Sequence, residues 1–162
     1  MDVIKEKSIK DQKMAIINYK GNVKDMDVLI ARLITWCEVE DIEIKGHPFS
    51  IYYTSPKNTD PDEMIYDVGI EVRENTEVTD HLHGNTAEVQ VVELLSHKVL
   101  YKIHEGSYET IDKSYRELAN YAVENNYDII GSPKEIYLNS PHEVKKEELL
   151  TEIQFPVIKM GK

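Results

Sequence analysis

The sequence predicts an α+β fold: a pseudo-twofold tandem of two β-α-β-β units, with both helices covering one face of an antiparallel sheet. Three observations predict it. Residues 13–72 align with residues 98–157 without a gap, at an offset of 85 and with 13 identities in 60 positions. The shared residues include Gly21/Gly106, Gly46/Gly131, Pro48/Pro133 and Pro56/Pro141, types that are fixed where backbone geometry demands them. In each copy one segment of helical period stands among segments of period two.

The elements follow in the same order in both copies. A first strand (residues 14–19; 99–104) ends at Gly21 or Gly106. A helix follows over residues 24–40 and 109–125. Its apolar positions Met26, Ile30, Leu33, Ile34 and Cys37, or Ile111, Tyr115, Leu118, Ala119 and Ala122, lie on one face of a 3.6-residue period. Asn22 and Ser107 are placed to cap these helices, and Asp25 and Glu109 add negative charge to their first turns. The steps Gly46-His47-Pro48 and Gly131-Ser132-Pro133 then precede a second strand (49–54; 134–139), closed in both copies by Ser-Pro. A third strand (64–72; 149–158) completes the unit. The polar segment 74–88 reads as a linker, leading into an extra strand over 89–95. That strand is expected to form a hairpin with 99–104 across Ser96-His97, and a matching N-terminal strand is expected near 3–9.

Composition bounds the function. The 162 residues are 41% hydrophobic and 30% charged, enough apolar material for a packed core, which excludes disorder. One domain spanning 1–162 is expected. The net charge of −11 argues against a broad nucleic-acid surface, which needs clustered Lys and Arg. The single cysteine, Cys37, excludes an intrachain disulfide and a cysteine-based zinc site, and its place on the helix stripe reads as a small buried residue. No signal-peptide pattern and no apolar run of membrane-spanning length is present, so a cytoplasmic protein without membrane contact is expected. Tyrosine is in surplus, ten against two phenylalanines and one tryptophan. Its apolar ring and hydrogen-bonding tip suit both strand packing and the lining of a site.

The differences between the copies locate a candidate site. Alternation along the second strand sets Phe49, Ile51 and Tyr53, or Ile136 and Leu138, toward the helices, and Ser50, Tyr52 and Thr54, or Glu135, Tyr137 and Asn139, away from them. Tyr52 and Tyr137 then flank a groove between the copies, where small-molecule sites are favoured. Ser50 of the first copy has become Glu135 in the second. A carboxylate in mid-strand needs a wet face or a partner. A solvent-facing side chain and a ligand site both satisfy that pattern.

The second half carries His104-x-Gly106-x-Tyr108, Tyr115-x-x-Leu118, Gly131-x-Pro133-x-Glu135-x-Tyr137-x-x-x-Pro141 and Thr151-Glu152-Ile153-x-x-Pro156-Val157. The first half carries Tyr66-Asp67-Val68-Gly69-Ile70. This ordered set closely resembles the GyrI-like small-molecule-binding domain, the effector-binding domain of bacterial transcription activators and of BmrR-type multidrug regulators. The sequence departs from that pattern at Tyr121, where many relatives have Trp, and at Ser107, where Pro is common. The resemblance implies two modules of SHS2 type with a ligand cleft between them. It implies that Glu135 pairs with cationic or amphiphilic aromatic compounds, inside a cage to which Tyr137 and Tyr108 belong. Tyr52, Trp36 and His104 complete the candidate ligand-binding set, although Trp36 also fits core-edge packing and His104 a turn-stabilising role.

A stand-alone module for sensing or sequestering toxic compounds is the expected function, without a DNA-binding segment of its own. The resemblance also implies an alternative, a hydrolase opening the strained cyclopropane of DNA-alkylating natural products. Glu135 would then be the general base that positions water, or would stabilise cationic charge developing as the ring opens, and Tyr137 or Tyr108 would polarise the carbonyl. A protein-binding, gyrase-inhibitor role is a second alternative, and a protein partner is left open. No cofactor is expected. His81-x-His83 has metal-ligand spacing but no distant partner, so it reads as solvated loop. Ser107 lacks a nucleophile-elbow sequence. The run 143–148 reads as a charged connection, and a haem role has no ligand behind it.

Overall fold

The computed structural model describes residues 3–79 and 89–161. His81 and His83, with the Gly84-Asn85 step of the expected linker, lie outside the described residues. In chain order the elements are β1 (Lys5–Ile9), β2 (Gln12–Lys20), α1 (Met26–Val39), β3 (Ile44–Tyr52), β4 (Ile65–Val72), β5 (Gln90–Leu94), β6 (His97–Glu105), α2 (Ile111–Glu124), β7 (Tyr127–Ile129), β8 (Lys134–Tyr137) and β9 (Leu150–Lys159). The chain divides into a first unit, Asp11–Leu95, and a second unit, Met1–Lys10 with Ser96–Lys162. Each is α+β and antiparallel, as the sequence predicts.

In the first unit the strands run in the order β3-β4-β2-β5. Alternation along β2 and β4 sends Ala15, Ile17, Tyr66, Val68, Ile70 and Val72 to the helix side. There they meet Leu29, Leu33 and Cys37, which recur at intervals of four on α1 and form its buried face. On the opposite face Phe49 lies across Gly69, its partner in the β3–β4 register. A Cβ at Gly69 would come within 2.4 Å of the Phe49 ring, so only glycine permits this approach. β3 begins before the Gly46-x-Pro48 step and absorbs it as a register shift between Ile44 and Pro48. In the second unit the equivalent stretch is broken into β7 and β8, both paired with β9.

The second unit runs β1-β6-β9-β8. Its core comprises Leu100, Leu118, Ala122, Ile153, Phe155 and Val157, against eleven buried residues in the first unit. Asn22 and Ser107 accept from the amides of Lys24 and Glu109, capping the 3-10 turns that lead into α1 and α2. Asp41 (φ 56°) and Asn126 (φ 62°), related by the same offset of 85, turn the chain out of the two helices in the left-handed conformation.

The expected hairpin between 89–95 and 99–104 does not form. β5 pairs with β2 in the first unit, and β6 pairs with β1 in the second. β1 and β5 are themselves equivalent under the 85-residue offset, so each unit contains the opening strand of the other repeat. The links explain this. A two-residue hairpin needs positive φ in its turn, and among the described residues only Asp41, Asn126 and Gly106 have it. Lys10-Asp11 and Leu95-Ser96 keep negative φ, so the chain runs on at both links and each strand leaves the one that follows it.

Candidate functional site

Three strands and one helix of the second unit bring polar groups to a single face. Ladder registers define two rows across β6, β9 and β8. Lys102, Ile153 and Glu135 form one row, and His104, Thr151 and Tyr137 the next. Both rows face α2. Tyr115 of α2 donates its hydroxyl to Glu135 Oε2 at 2.5 Å, and Ser114 of α2 accepts from Lys102 Nζ at 2.8 Å. Glu135 and Tyr137 therefore point toward the helix, opposite to the facing expected from alternation. β3 is inverted likewise: Ser50 and Tyr52 pair with the helix-facing Val68 and Tyr66, while Phe49 takes the other face. Ile136 and Leu138 are the apolar pair of the β8 segment, yet the chain turns its polar set inward.

Glu135 is 8% exposed. Its second carboxylate oxygen, Oε1, accepts from the Tyr137 hydroxyl at 3.0 Å. Tyr108 stands edge-on to Tyr137 with ring centroids 6.0 Å apart, and Tyr115 lies against Phe155 at 5.7 Å. Tyr108 is 37% exposed, which puts the outer ring of this set at the surface. Burial pushes the Glu135 carboxyl above the ordinary carboxylate range, and the two tyrosine hydroxyls bring it part of the way back. No ion pair reaches Glu135 among the described residues.

Beside it lies a second polar network. Lys102 is 2% exposed and donates to Glu117 Oε1 at 2.5 Å as well as to Ser114. Because Ser114 Oγ accepts from an ammonium, its own proton is directed at His104 Nδ1, 2.8 Å away. That leaves Nε2–H to donate to the Ser107 carbonyl at 3.0 Å, which assigns the tautomer from the network. His104 is thus buried at the strand end with both ring nitrogens engaged, while Ser107 caps the turn next to it. On the row between His104 and Tyr137, Thr151 is fully buried and its Oγ1 has no hydrogen-bond partner among the described residues.

The first unit has none of this. At the positions of Lys102, His104, Ser114, Tyr115, Glu135 and Thr151 it has Ile17, Tyr19, Leu29, Ile30, Ser50 and Tyr66. Tyr52 packs on this core at 5.9 Å from Tyr66, whose hydroxyl donates to the Asn22 carbonyl at 3.0 Å. Trp36 packs on the same core and lines a groove of about 670 Å³ along α1 with Val28, Ala31 and Val39. Of the sequence-predicted set, Glu135, Tyr137 and Tyr108 are thus brought together, with His104 on the neighbouring row. Tyr52 and Trp36 belong to the first unit.

Further carboxylates already have partners. Asp67 accepts from Asn18 Nδ2 at 2.9 Å and from the Tyr53 hydroxyl at 2.5 Å. Its counterpart Glu152 is held by Lys7 at 2.6 Å. Cys37 is buried in the first core, which pushes its thiol up and away from nucleophile chemistry. Among the described residues no group of three or more His, Cys, Asp or Glu is placed to hold a metal, and no helix is long and apolar enough to cross a membrane.

Sequence reasoning left out Tyr115, Lys102, Ser114 and Thr151. Tyr115 falls on the apolar stripe of α2, and its ring does pack there. What the period cannot tell is where its hydroxyl ends. Ser114 and Thr151 were legible only by comparing copies, since each stands where the other copy has a large buried residue.

A small-molecule-binding fold is the class these features define: a duplicated α+β unit, one copy with a conventional core and the other with a polar, ring-lined interior. The family model of the GyrI-like small molecule binding domain matches residues 3–158, and the chain belongs to that family. No curated protein matches it in sequence. Among solved structures it is similar to EcmrR. The likeness to the EcmrR C-terminal domain has a TM-score of 0.75 at 19% identity and covers 99% of both chains. Against EcmrR bound to DNA the TM-score is 0.80 at 19% identity, with 98% of this chain matched, but the chain spans only 58% of that protein. A hydrolase encoded by lin2189 from Listeria innocua is similar at TM-score 0.72 and 14% identity, covering 96% of this chain and 91% of that one. SAV2435, solved bound to tetraphenylphosphonium, is similar at TM-score 0.59 and 12% identity, covering 96% and 94%. At these identities the likeness is one of fold.

Proposed function

We propose that the second unit binds lipophilic aromatic cations, with Glu135 as counter-charge and Tyr108, Tyr115 and Tyr137 as the surrounding rings. One observation carries this reading: Glu135 is buried, holds two tyrosine hydroxyls and has no cationic partner among the described residues. A buried carboxylate without a counter-ion is costly and tends to keep its proton. A delocalised, weakly hydrated cation relieves that cost with little desolvation of its own, and each tyrosine face adds about 0.5–2 kcal/mol of cation–π attraction. Such a site discriminates weakly by shape, which suits sensing or sequestration of diverse compounds. That SAV2435 was solved with tetraphenylphosphonium supports the ligand class. Titration with tetraphenylphosphonium, followed by tyrosine fluorescence or calorimetry, should give saturable binding. Glu135→Gln should weaken it by about 1–3 kcal/mol, roughly 5- to 150-fold. Unchanged affinity in that variant would remove Glu135 from the role.

A hydrolase is the second reading, and the raised proton affinity of Glu135 beside two phenolic hydroxyls favours it. In this reading Glu135 takes the proton of a water attacking a strained cyclopropane carbon. The ring electron pair moves into the conjugated carbonyl, to which Tyr137 or Tyr108 donates. Incubation with a cyclopropane-bearing alkylator should then release ring-opened product faster than buffer does, and a rate equal to buffer sinks this reading.

A further inference from the structure

We infer that the ligand of this site carries a second polar feature, a hydrogen-bonding group seated on Thr151 Oγ1, so that the site selects aromatic cations bearing a hydroxyl or carbonyl. The inference rests on the cation-binding reading and adds to it a second pole, one ladder row along from Glu135 and one strand over.

Thr151 is fully buried, and its hydroxyl has no hydrogen-bond partner among the described residues, although polar side chains flank it on both neighbouring strands. Those neighbours have their own partners. Tyr137 donates to Glu135, and both nitrogens of His104 are engaged by Ser114 and Ser107. A buried hydroxyl left without a hydrogen bond is costly, and folded proteins keep few of them unless something outside the chain completes the bond. The duplication supplies a control. At the same position the first unit has Tyr66, whose ring fills the core and whose hydroxyl reaches the Asn22 carbonyl. The second unit replaces three larger residues, Tyr19, Leu29 and Tyr66, with His104, Ser114 and Thr151. Those three exchanges shorten side chains on the face that holds Glu135 and leave a polar atom at position 151, while the larger Tyr115 and Glu135 replace Ile30 and Ser50 beside them. A pocket that rejected all but bare apolar cations would have an apolar residue there. A hydroxyl built to be completed by the ligand instead discriminates against compounds that cannot complete it.

The test compares two probes differing in one group: tetraphenylphosphonium, and a triphenylphosphonium whose fourth ring carries a hydroxymethyl group. Wild-type protein should bind the hydroxymethyl probe roughly 3- to 10-fold more tightly. Thr151→Val, which keeps the shape and removes the hydroxyl, should abolish that preference while leaving tetraphenylphosphonium within twofold. Thr151→Ser should retain it. The melting temperature of ligand-free Thr151→Val should equal or exceed that of wild type, because the lost hydroxyl had no partner. Equal binding of the two probes by wild type, or equal loss of both in Thr151→Val, overturns the inference. Absence of Glu135-dependent tetraphenylphosphonium binding overturns instead the reading on which it rests.

Discussion

The two units descend from one sequence pattern and have spent it differently. The first buries Ile17, Leu29, Leu33, Tyr66 and Val68 between α1 and its sheet, an interior from which the Tyr66 hydroxyl reaches the Asn22 carbonyl. The second retains Leu118, Ile153 and Phe155 but gives over Lys102, His104, Ser114, Glu135 and Thr151 to polar groups in the same positions beneath α2. Backbone devices stayed shared: the Asn22 and Ser107 caps, the left-handed Asp41 and Asn126, and the Gly-x-Pro steps. Side chains on the helix-facing rows did not. One copy thus has an apolar interior and the other a polar one, and polar interiors are as a rule the less stable where their groups lack partners.

The largest effect that could break this comparison is core truncation. Leu33 and Leu118 are equivalent and both fully buried. Leu33→Ala should cost about 3–5 kcal/mol and Leu118→Ala about 2–3 kcal/mol, because the cavity term depends on how tightly the surroundings are packed. Urea unfolding of the two variants measures both. A larger loss at Leu118 would mean that the second unit, not the first, has the tighter core.

The same asymmetry explains what the sequence could tell. Elements were legible because they rest on local chemistry: the helical period, the capping Asn22 and Ser107, and the glycine–proline steps. Glu135 was legible as a carboxylate in mid-strand where the other copy has serine, and the family motifs pointed to the same residue. The facing of β8 was not, because Ile136 and Leu138 are the apolar pair and alternation assigns apolar residues to the core. That rule fails on β8, where the interior is polar, and also on β3, where Phe49 is buried on the outer face across Gly69. β6 shows the same inversion: Leu100, Lys102 and His104 face α2, although Val99, Tyr101 and Ile103 are the more apolar set. Strand exchange between β1 and β5 was illegible for another reason. Both repeats present the same edge to the same strand, so the residue pattern fits either pairing.

A smaller effect, a slope rather than a step, sharpens the comparison through protons. Glu135 holds its proton more tightly in the folded protein than in the unfolded chain, because burial outweighs the Tyr115 and Tyr137 hydrogen bonds. Between the ordinary carboxylate range and the raised folded value, the folded state therefore binds more protons than the unfolded one. Stability contributed by this group falls as pH rises through that window, by at most about 1.4 kcal/mol per pH unit, and is level on either side. The difference in unfolding free energy between wild type and Glu135→Gln isolates this slope from every other carboxylate. The first unit, with Ser50 at that position, has nothing to contribute. Linkage then ties the slope to binding. A cation seated on ionised Glu135 has to displace the proton, so tetraphenylphosphonium affinity should rise by up to about tenfold per pH unit across the same window and level off above it. Saturating tetraphenylphosphonium should in turn flatten the wild-type slope. An affinity independent of pH while the stability slope remains would separate the two, leaving Glu135 a buried acid of the second unit and placing the cation elsewhere.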